Sequence, residues 1–303
     1  MKSLPLKKSH LLLTTSGFLF LIILTVATAP SYSNEIQANV LVKLETRPGI
    51  TQKLILMKPA NPEAFAIMFV GGKGRLKLGS SFSGEPTVEG RTYFLVRARK
   101  EFAKHGLVVA VVDAPSDMAI EKKGMATFSR EAKVIFRMRD QHLQDIKAVV
   151  KYLKGQINLP VWLVGTSMGT ISAALGSIGM PAGVEGLVLI SPVTRTRKTW
   201  HMHKTHPNGV LDLGLDKIKV PTLIISHQND KCDVTPASGA LEVKAALTNS
   251  AKVKIGYFTG GKGESGEPCS PLSASGFYGI EDEVISVIAE FIKANSNSSK
   301  PSG

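Results

Sequence analysis

Apolar residues along this chain fall into two kinds of pattern that alternate. "VLVKLET" (from Val40) and "KLILMKP" (from Lys53) switch between apolar and polar positions, which predicts two early antiparallel strands. "FAIMFV" (from Phe65) is apolar throughout, as a strand covered on both faces should be. Residues 91–104 follow the helical period, with Phe94, Leu95, Ala98 and Phe102 on one side and Gly106 beyond the end. "LVVAVVD" is the next buried strand. A second helix over 139–154 uses Leu143, Ile146, Val150 and Leu153, with Gly155 as its stop. "VWLVG" predicts a strand and "MGTISAALGSIG" a helix rich in small residues. "GLVLIS", "TLIISHQND" and "VKIGYF" predict three more strands, with a helix over 236–248 before the last of them. "IEDEVISVIAEFIKA" closes the series. Glu281, Asp282 and Glu283 stand in its first turn and Lys293 in its last, where the helix dipole favours each sign.

Strands alternating with helices of this length imply βαβ units and a mostly parallel sheet covered on both faces. Ligands of such sheets lie at the carboxyl ends of the strands, so the polar residues after each apolar run are the ones to inspect. The chain has 303 residues, is 43% hydrophobic and has no internal repeat, which fits one large α/β domain over residues 34–294. Residues 295–303 form a polar tail expected to be disordered.

The first 33 residues stand apart. Three lysines without an acid precede the apolar run "LLLTTSGFLFLIILTVATA", and "PSYSNE" follows. This is the layout of a secretory signal peptide, with cleavage after Ser33 preferred to cleavage after Ala29, where Pro30 would follow the cut. Uncleaved, the same run is nearly long enough for a membrane anchor, and it is the chain's only expected membrane contact. No Cys lies near the cleavage region for lipid attachment. The expected location is therefore the periplasm or the medium. An even count of two cysteines in an exported chain predicts one disulfide, Cys232–Cys269, worth about 4 kcal/mol by chain-entropy bookkeeping.

The formal charge is +13, of which Lys2, Lys7 and Lys8 supply three, leaving +10 on residues 34–303. Basic residues concentrate only in "VRARKEFAKH" and "RMRD", both within predicted helices, and no aromatics interleave with them. A base-stacking surface for nucleic acid is not indicated, and the excess is expected as a soluble basic surface.

Candidate chemistry centres on "GTSMG", residues 165–169, which fits G-x-S-x-G between a strand and a helix. A serine in so tight a turn is exposed at the sheet's rim with the helix's amino end aimed at it. Together with "VGGKG" after the third strand and "SHQND" after the strand following "GLVLIS", this segment resembles the α/β-hydrolase superfamily over about residues 50–294. The chain looks most like a group of exported bacterial α/β-hydrolases. The resemblance implies the α/β-hydrolase fold; the short stretch between "GLVLIS" and "TLIIS" leaves little or no lid, and no cofactor is expected. The resemblance also implies Ser167 as nucleophile and an oxyanion hole from the backbone N–H of Met168 and of Gly72 or Lys73. Asp230 is the expected triad acid, with Asp233 the fallback unless it caps the helix near Pro236. Asp113 and Asp117 are expected to bond turn backbone.

The expected histidine is missing. The family order is Ser, acid, His, yet the segment before the closing helix reads Ser275-Gly276-Phe277 where the resemblance implies His-Gly-Phe, and residues 228–303 contain no histidine. Seven histidines occur elsewhere. His10 is in the leader; His105 and His142 are expected to be solvated or partly packed on helices. His227 could substitute as base or merely bond loop backbone. His201, His203 and His206 are expected as an exposed basic loop, with a borrowed base and a metal ligand set as equal alternatives; no metal site is assigned. Two functions stay open at this level. One is an esterase acting on small acyl substrates with a borrowed base. The other is an inactive relative that binds a ligand in the same pocket.

Overall fold

The computed structural model describes residues 35–119, 136–262 and 267–296. The proposed leader, the last seven tail residues and His10 lie outside them. Among the described residues no helix is long and apolar enough to cross a membrane.

Eight strands form one sheet. β1 (Ile36–Arg47) and β2 (Ile50–Pro59) are the expected antiparallel pair, and β2 also runs antiparallel to β6 (Leu107–Val112). From β6 onward the sheet is parallel. β6 pairs with β3 (Ala64–Phe69), β3 with β7 (Val161–Thr166), β7 with β8 (Gly186–Ile190), β8 with β9 (Thr222–His227), and β9 with β10 (Val253–Phe258). The spatial order is β1-β2-β6-β3-β7-β8-β9-β10, so β3 and β7 are central. A small ribbon of β4 (Gly79–Ser80) and β5 (Pro86–Thr87) was not expected from the sequence.

The uniformly apolar central strands feed two cores. Along β3, Ala66 and Met68 face one layer while Phe65 and Ile67 face the other, because successive side chains alternate across a strand. The first layer holds α1 (Phe94–Arg97), α2 (Arg99–Lys104) and the closing helix, where Trp162, Phe102 and Ile288 are fully buried. The second holds the helix Asp140–Gln156, the helix Gly169–Gly179 and the short helix Gly239–Ala246, with Leu153, Leu163 and Val243 buried. Each such side chain contributes about 1.5–3 kcal/mol by leaving water. In chain order the helices after α2 are α3 (Ser116–Ala119), α4 (Asp140–Gln156), α5 (Gly169–Gly179), α6 (Gly239–Ala246) and α7 (Glu281–Ser296).

Three differences from the sequence reading matter for the site. The helix expected over 91–104 is two helices broken at Ala98, and it begins only at Phe94 because Tyr93 is extended (φ −63°, ψ 135°). "RMRD" is not a basic helical face: Arg137 lies in a single 3₁₀ turn, Phe136–Met138, and is 2% exposed. The segment between β8 and β9 is short, as expected of a minimal lid, but it folds into three 3₁₀ turns.

Candidate active site

β7 aims the chain at the sheet's rim, and α5 begins three residues after the strand ends. Ser167 spans the gap with φ +51°, a left-handed conformation that costs a non-glycine residue on the order of 1 kcal/mol or more. Its backbone is locked: Ser167 N–H donates to Ile190 O at 2.9 Å, and its carbonyl accepts from Thr170 N at 2.9 Å and Thr170 Oγ1 at 2.6 Å. Gly169 permits the crossing, since a Cβ there would overlap the carbonyl of Phe69 on β3. With the backbone occupied, Ser167 Oγ is left without a partner among the described residues.

The loop after β3 lies directly alongside, and a Cβ on Gly71 would stand 3.1 Å from Ser167 Cβ. Side chains fix this loop from beneath. Asp113 accepts from Leu76 N at 2.6 Å, Leu78 N at 2.8 Å and Ala114 N at 2.8 Å, the turn-backbone role expected of it. Arg137 donates through Nη2 to Val70 O at 2.9 Å and, at 3.5 Å, to Gly72 O. The N–H groups of Gly72 and Met168 have no backbone acceptor among the described residues.

Arg137 was not singled out by sequence reasoning. It is buried with no carboxylate partner among the described residues, and burial pushes its guanidinium down to about 10, so it stays charged at neutral pH. Its Nη1 donates to Ser172 Oγ at 2.7 Å, and Ser172 Oγ lies 2.9 Å from His142 Nε2. A guanidinium can only donate, so the Ser172 hydrogen is free to point at His142. His142 is therefore not a solvated helix-face residue. It is 4% exposed, and burial, with Arg137 and Arg47 nearby, pushes its imidazole down to about 3.

Opposite the first loop, Cys232 and Cys269 form the expected disulfide and tie the loop after β9 to the segment before α7. Asp230 accepts from Cys232 N at 2.8 Å and from Thr235 Oγ1 at 2.8 Å. Burial pushes its carboxyl up to about 6 against the pull of those two bonds. Asp233 does not cap α6, which begins at Gly239. It is exposed and paired with Arg197 at 2.8 Å, which holds its carboxyl below the usual range. Asp117 likewise pairs with Arg47 rather than bonding turn backbone.

The histidines sort cleanly. His227 is 1% exposed; its Nε2 lies 3.1 Å from Gly260 O and its Nδ1 accepts from Asn229 N at 3.1 Å. Both nitrogens are held by loop backbone, which is the second of the two roles open to it and leaves neither nitrogen free to act as a substitute base. His203 Nδ1 bonds Thr196, and His206 Nδ1 bonds Thr205 Oγ1. His201 alone of these three lines the cavity at Ser167. Among the described residues the three do not gather as metal ligands. The one cluster of potential ligands, Cys232, Asp233 and Cys269, has both sulfurs in the disulfide.

Ser167 stands between two cavities. The larger, about 490 Å³, is lined by Met168, Trp200, His201 and Met202, with Lys73 and the Asp233-paired Arg197, and with no acid on its wall among the described residues. The smaller, about 50 Å³, brings Ser167 together with Tyr93, Ser275 and the disulfide. Ser275 sits in the 3₁₀ turn Ala274–Gly276, its hydroxyl 3.0 Å from Ser273 Oγ and 3.3 Å from Pro268 O.

Residues 126–235, about a third of the chain, match a family model described as serine aminopeptidase S33. No curated protein matches the chain significantly. Among solved structures the chain is similar to Est1E from Butyrivibrio proteoclasticus, at 15% identity and TM-score 0.55, over 84% of this chain and 98% of that one. It is also similar to an esterase from Pyrococcus furiosus at 16% identity and TM-score 0.56, covering 86% and 91% of the two chains. Proline iminopeptidase of Mycobacterium smegmatis aligns at 11% identity and TM-score 0.58, over 86% and 100%. At these identities the likeness is one of fold.

Proposed function

We propose that this chain, which has the α/β-hydrolase fold, is an exported serine hydrolase acting on carboxylic esters or related acyl compounds. The observation that carries the proposal is Ser167 itself. It is held at φ +51° on a strand-to-helix turn, with an unengaged hydroxyl facing a cavity of about 490 Å³ beside the free N–H groups of Met168 and Gly72. Ser167 Oγ attacks the acyl carbon, and the two N–H groups receive the charge that develops on the carbonyl oxygen. Met168, Met202 and Trp200 offer the acyl group an apolar wall, and the cavity's volume suits a small soluble ester. Asp230 keeps the Cys232 loop in place through the bonds described above.

Support for export comes from the basic and apolar leader and from the disulfide, which persists in oxidising compartments. Amino-terminal sequencing of the secreted or periplasmic protein is expected to begin at Asn34; a start at Met1 would favour the anchor instead.

Hydrolysis of 4-nitrophenyl butyrate tests the activity. Ser167→Ala is expected to lower kcat by on the order of 10³-fold or more. A wild-type rate no higher than that of the variant would leave the fold as a ligand-binding scaffold without turnover.

A further inference from the structure

A serine hydroxyl is a weak nucleophile unless its proton has somewhere to go, and no imidazole occupies position 275. The small cavity contains a different candidate. Because the chain is extended at Tyr93 and the helix starts one residue later, the Tyr93 ring turns inward, packs on the core and lines the roughly 50 Å³ cavity with Ser167 and Ser275. Its hydroxyl also meets the oxyanion loop. Gly72, at φ +55°, has its backbone so close that a Cβ there would lie 2.8 Å from Tyr93 Oη. The other hydroxyls contributed by the segment before α7 are engaged: Ser275 bonds Ser273 and Pro268, and Ser270 Oγ accepts from Leu272 N at 3.2 Å. Tyr93 Oη, like Ser167 Oγ, has no partner among the described residues.

We propose that Tyr93 is a catalytic residue of the Ser167 site, its hydroxyl relaying the serine proton to the leaving group. This rests on the serine-hydrolase reading above. As Ser167 Oγ forms its bond to the acyl carbon, the Oγ–H bond breaks and that proton passes, through one water in the roughly 50 Å³ cavity that both residues line, to Tyr93 Oη. The proton originally on Oη passes to the leaving-group oxygen, which keeps the electron pair of the broken acyl C–O bond. Tyr93 ends as it began, a neutral phenol. Deacylation runs the exchange in reverse with water in place of the alcohol: water attacks the acyl carbon, its proton passes to Tyr93 Oη, and the proton originally on Oη passes to Ser167 Oγ as the acyl C–Oγ bond breaks. A relay of this kind needs a phenol that stays protonated at rest. Burial raises the Tyr93 pKa and keeps it so, while the Arg137 cation behind the loop pulls the other way and favours transient negative charge on Oη.

The relay is tested by steady-state kinetics on wild type, Tyr93→Phe, Ser275→His and the double variant, with 4-nitrophenyl butyrate and ethyl butyrate. Ethoxide needs a proton to leave and 4-nitrophenolate does not. Tyr93→Phe is expected to lower kcat/KM, which reports acylation, on ethyl butyrate by ~10²–10⁴-fold and on the nitrophenyl ester by distinctly less. Ser275→His supplies an imidazole, so the double variant is expected to recover the rate of Ser275→His alone. A purely structural role for Tyr93 would penalise both esters equally and persist in the double variant, and that result overturns the relay. So does a fully active Tyr93→Phe enzyme, which leaves the hydrolase reading standing. A wild type inactive on both esters overturns both. If Ser275→His is itself inert, the leaving-group contrast decides alone.

Discussion

Two loops face each other across Ser167, and each is gathered by one arginine. The loop after β3 is held by Arg137, which bonds Val70 O and Gly72 O. The segment before α7 is held by Arg97, which donates to Pro271 O at 2.9 Å and to the carbonyls of Gly276 and Thr92. The difference lies in what balances the charge. Arg97 is partly exposed and paired with Glu281 at 2.7 Å, whereas Arg137 is buried with neutral partners only. A buried cation without a counter-ion among the described residues is costly, and under the proposed function its place behind the Val70–Gly72 loop would favour the negative charge that develops there. Arg97 with its acid is scaffolding. Under the proposed function, the first loop would supply both a frame and an N–H group for the reaction. The second holds the frame, disulfide included, with hydroxyls where the superfamily resemblance implies an imidazole.

Several perturbations sharpen that contrast. The largest concerns His142, which supports Arg137 through Ser172. Its folded pKa of about 3 lies below the unfolded value of about 6.5. The stability it contributes is thus complete above pH 6.5 and is lost as pH falls toward 3, by on the order of 4 kcal/mol. Urea midpoints of wild type and His142→Gln are expected to converge over that interval on acidification; parallel curves would contradict the buried neutral imidazole. On the other loop, replacing both Cys232 and Cys269 by Ser is expected to cost about 4 kcal/mol in the same titration, with the melting temperature falling accordingly.

The arginines come next, and they should separate stability from activity. Arg97→Met leaves Glu281 and three carbonyls without their partner and is expected to cost about 2–3 kcal/mol, with the Ser167 reaction little changed per folded molecule. Arg137→Met removes a buried charge along with its bonds, so the stability loss is expected to be smaller, ~1–2 kcal/mol, while kcat falls ~10-fold as the Gly72 N–H loses its aim. Equal kinetic effects from the two variants would erase the distinction drawn here.

An effect of the opposite sign is expected at Asp230. Its folded pKa, about 6, is above the unfolded carboxylate value of about 3.9. The sign is opposite to that of His142: the contribution is present below pH ~3.9 and lost as pH rises through 6. Relative to Asp230→Asn, wild type should lose up to about 3 kcal/mol over that range and then level off. A flat difference would mean the carboxyl is better solvated than its burial implies.

Most of the fold was legible in the chain. The five central strands are apolar on both faces, and runs such as "FAIMFV" and "LVVAVVD" have few other places to go. The Ser167 turn was legible too, because glycine is needed on both sides of so close a crossing. Periodicity failed where polar groups are buried. It placed His142 on a helix face and Arg137 in a basic helix, since nothing local signals that a cation will be covered by the Val70–Gly72 loop. It carried the 91–104 helix through Tyr93, whose extended backbone is set by its packing on the core. His227 looked like a spare base for its nearness to Asp230 in sequence, a distance that says nothing of where its ring nitrogens bond.

The central claim is that Ser167 is a reactive nucleophile. Incubating the purified protein with a fluorophosphonate and mapping the adduct by peptide mass spectrometry tests it most directly. The expected result is one phosphonylated site at Ser167, absent from Ser167→Ala. An unmodified Ser167 after prolonged exposure, or an adduct on another residue, would contradict it.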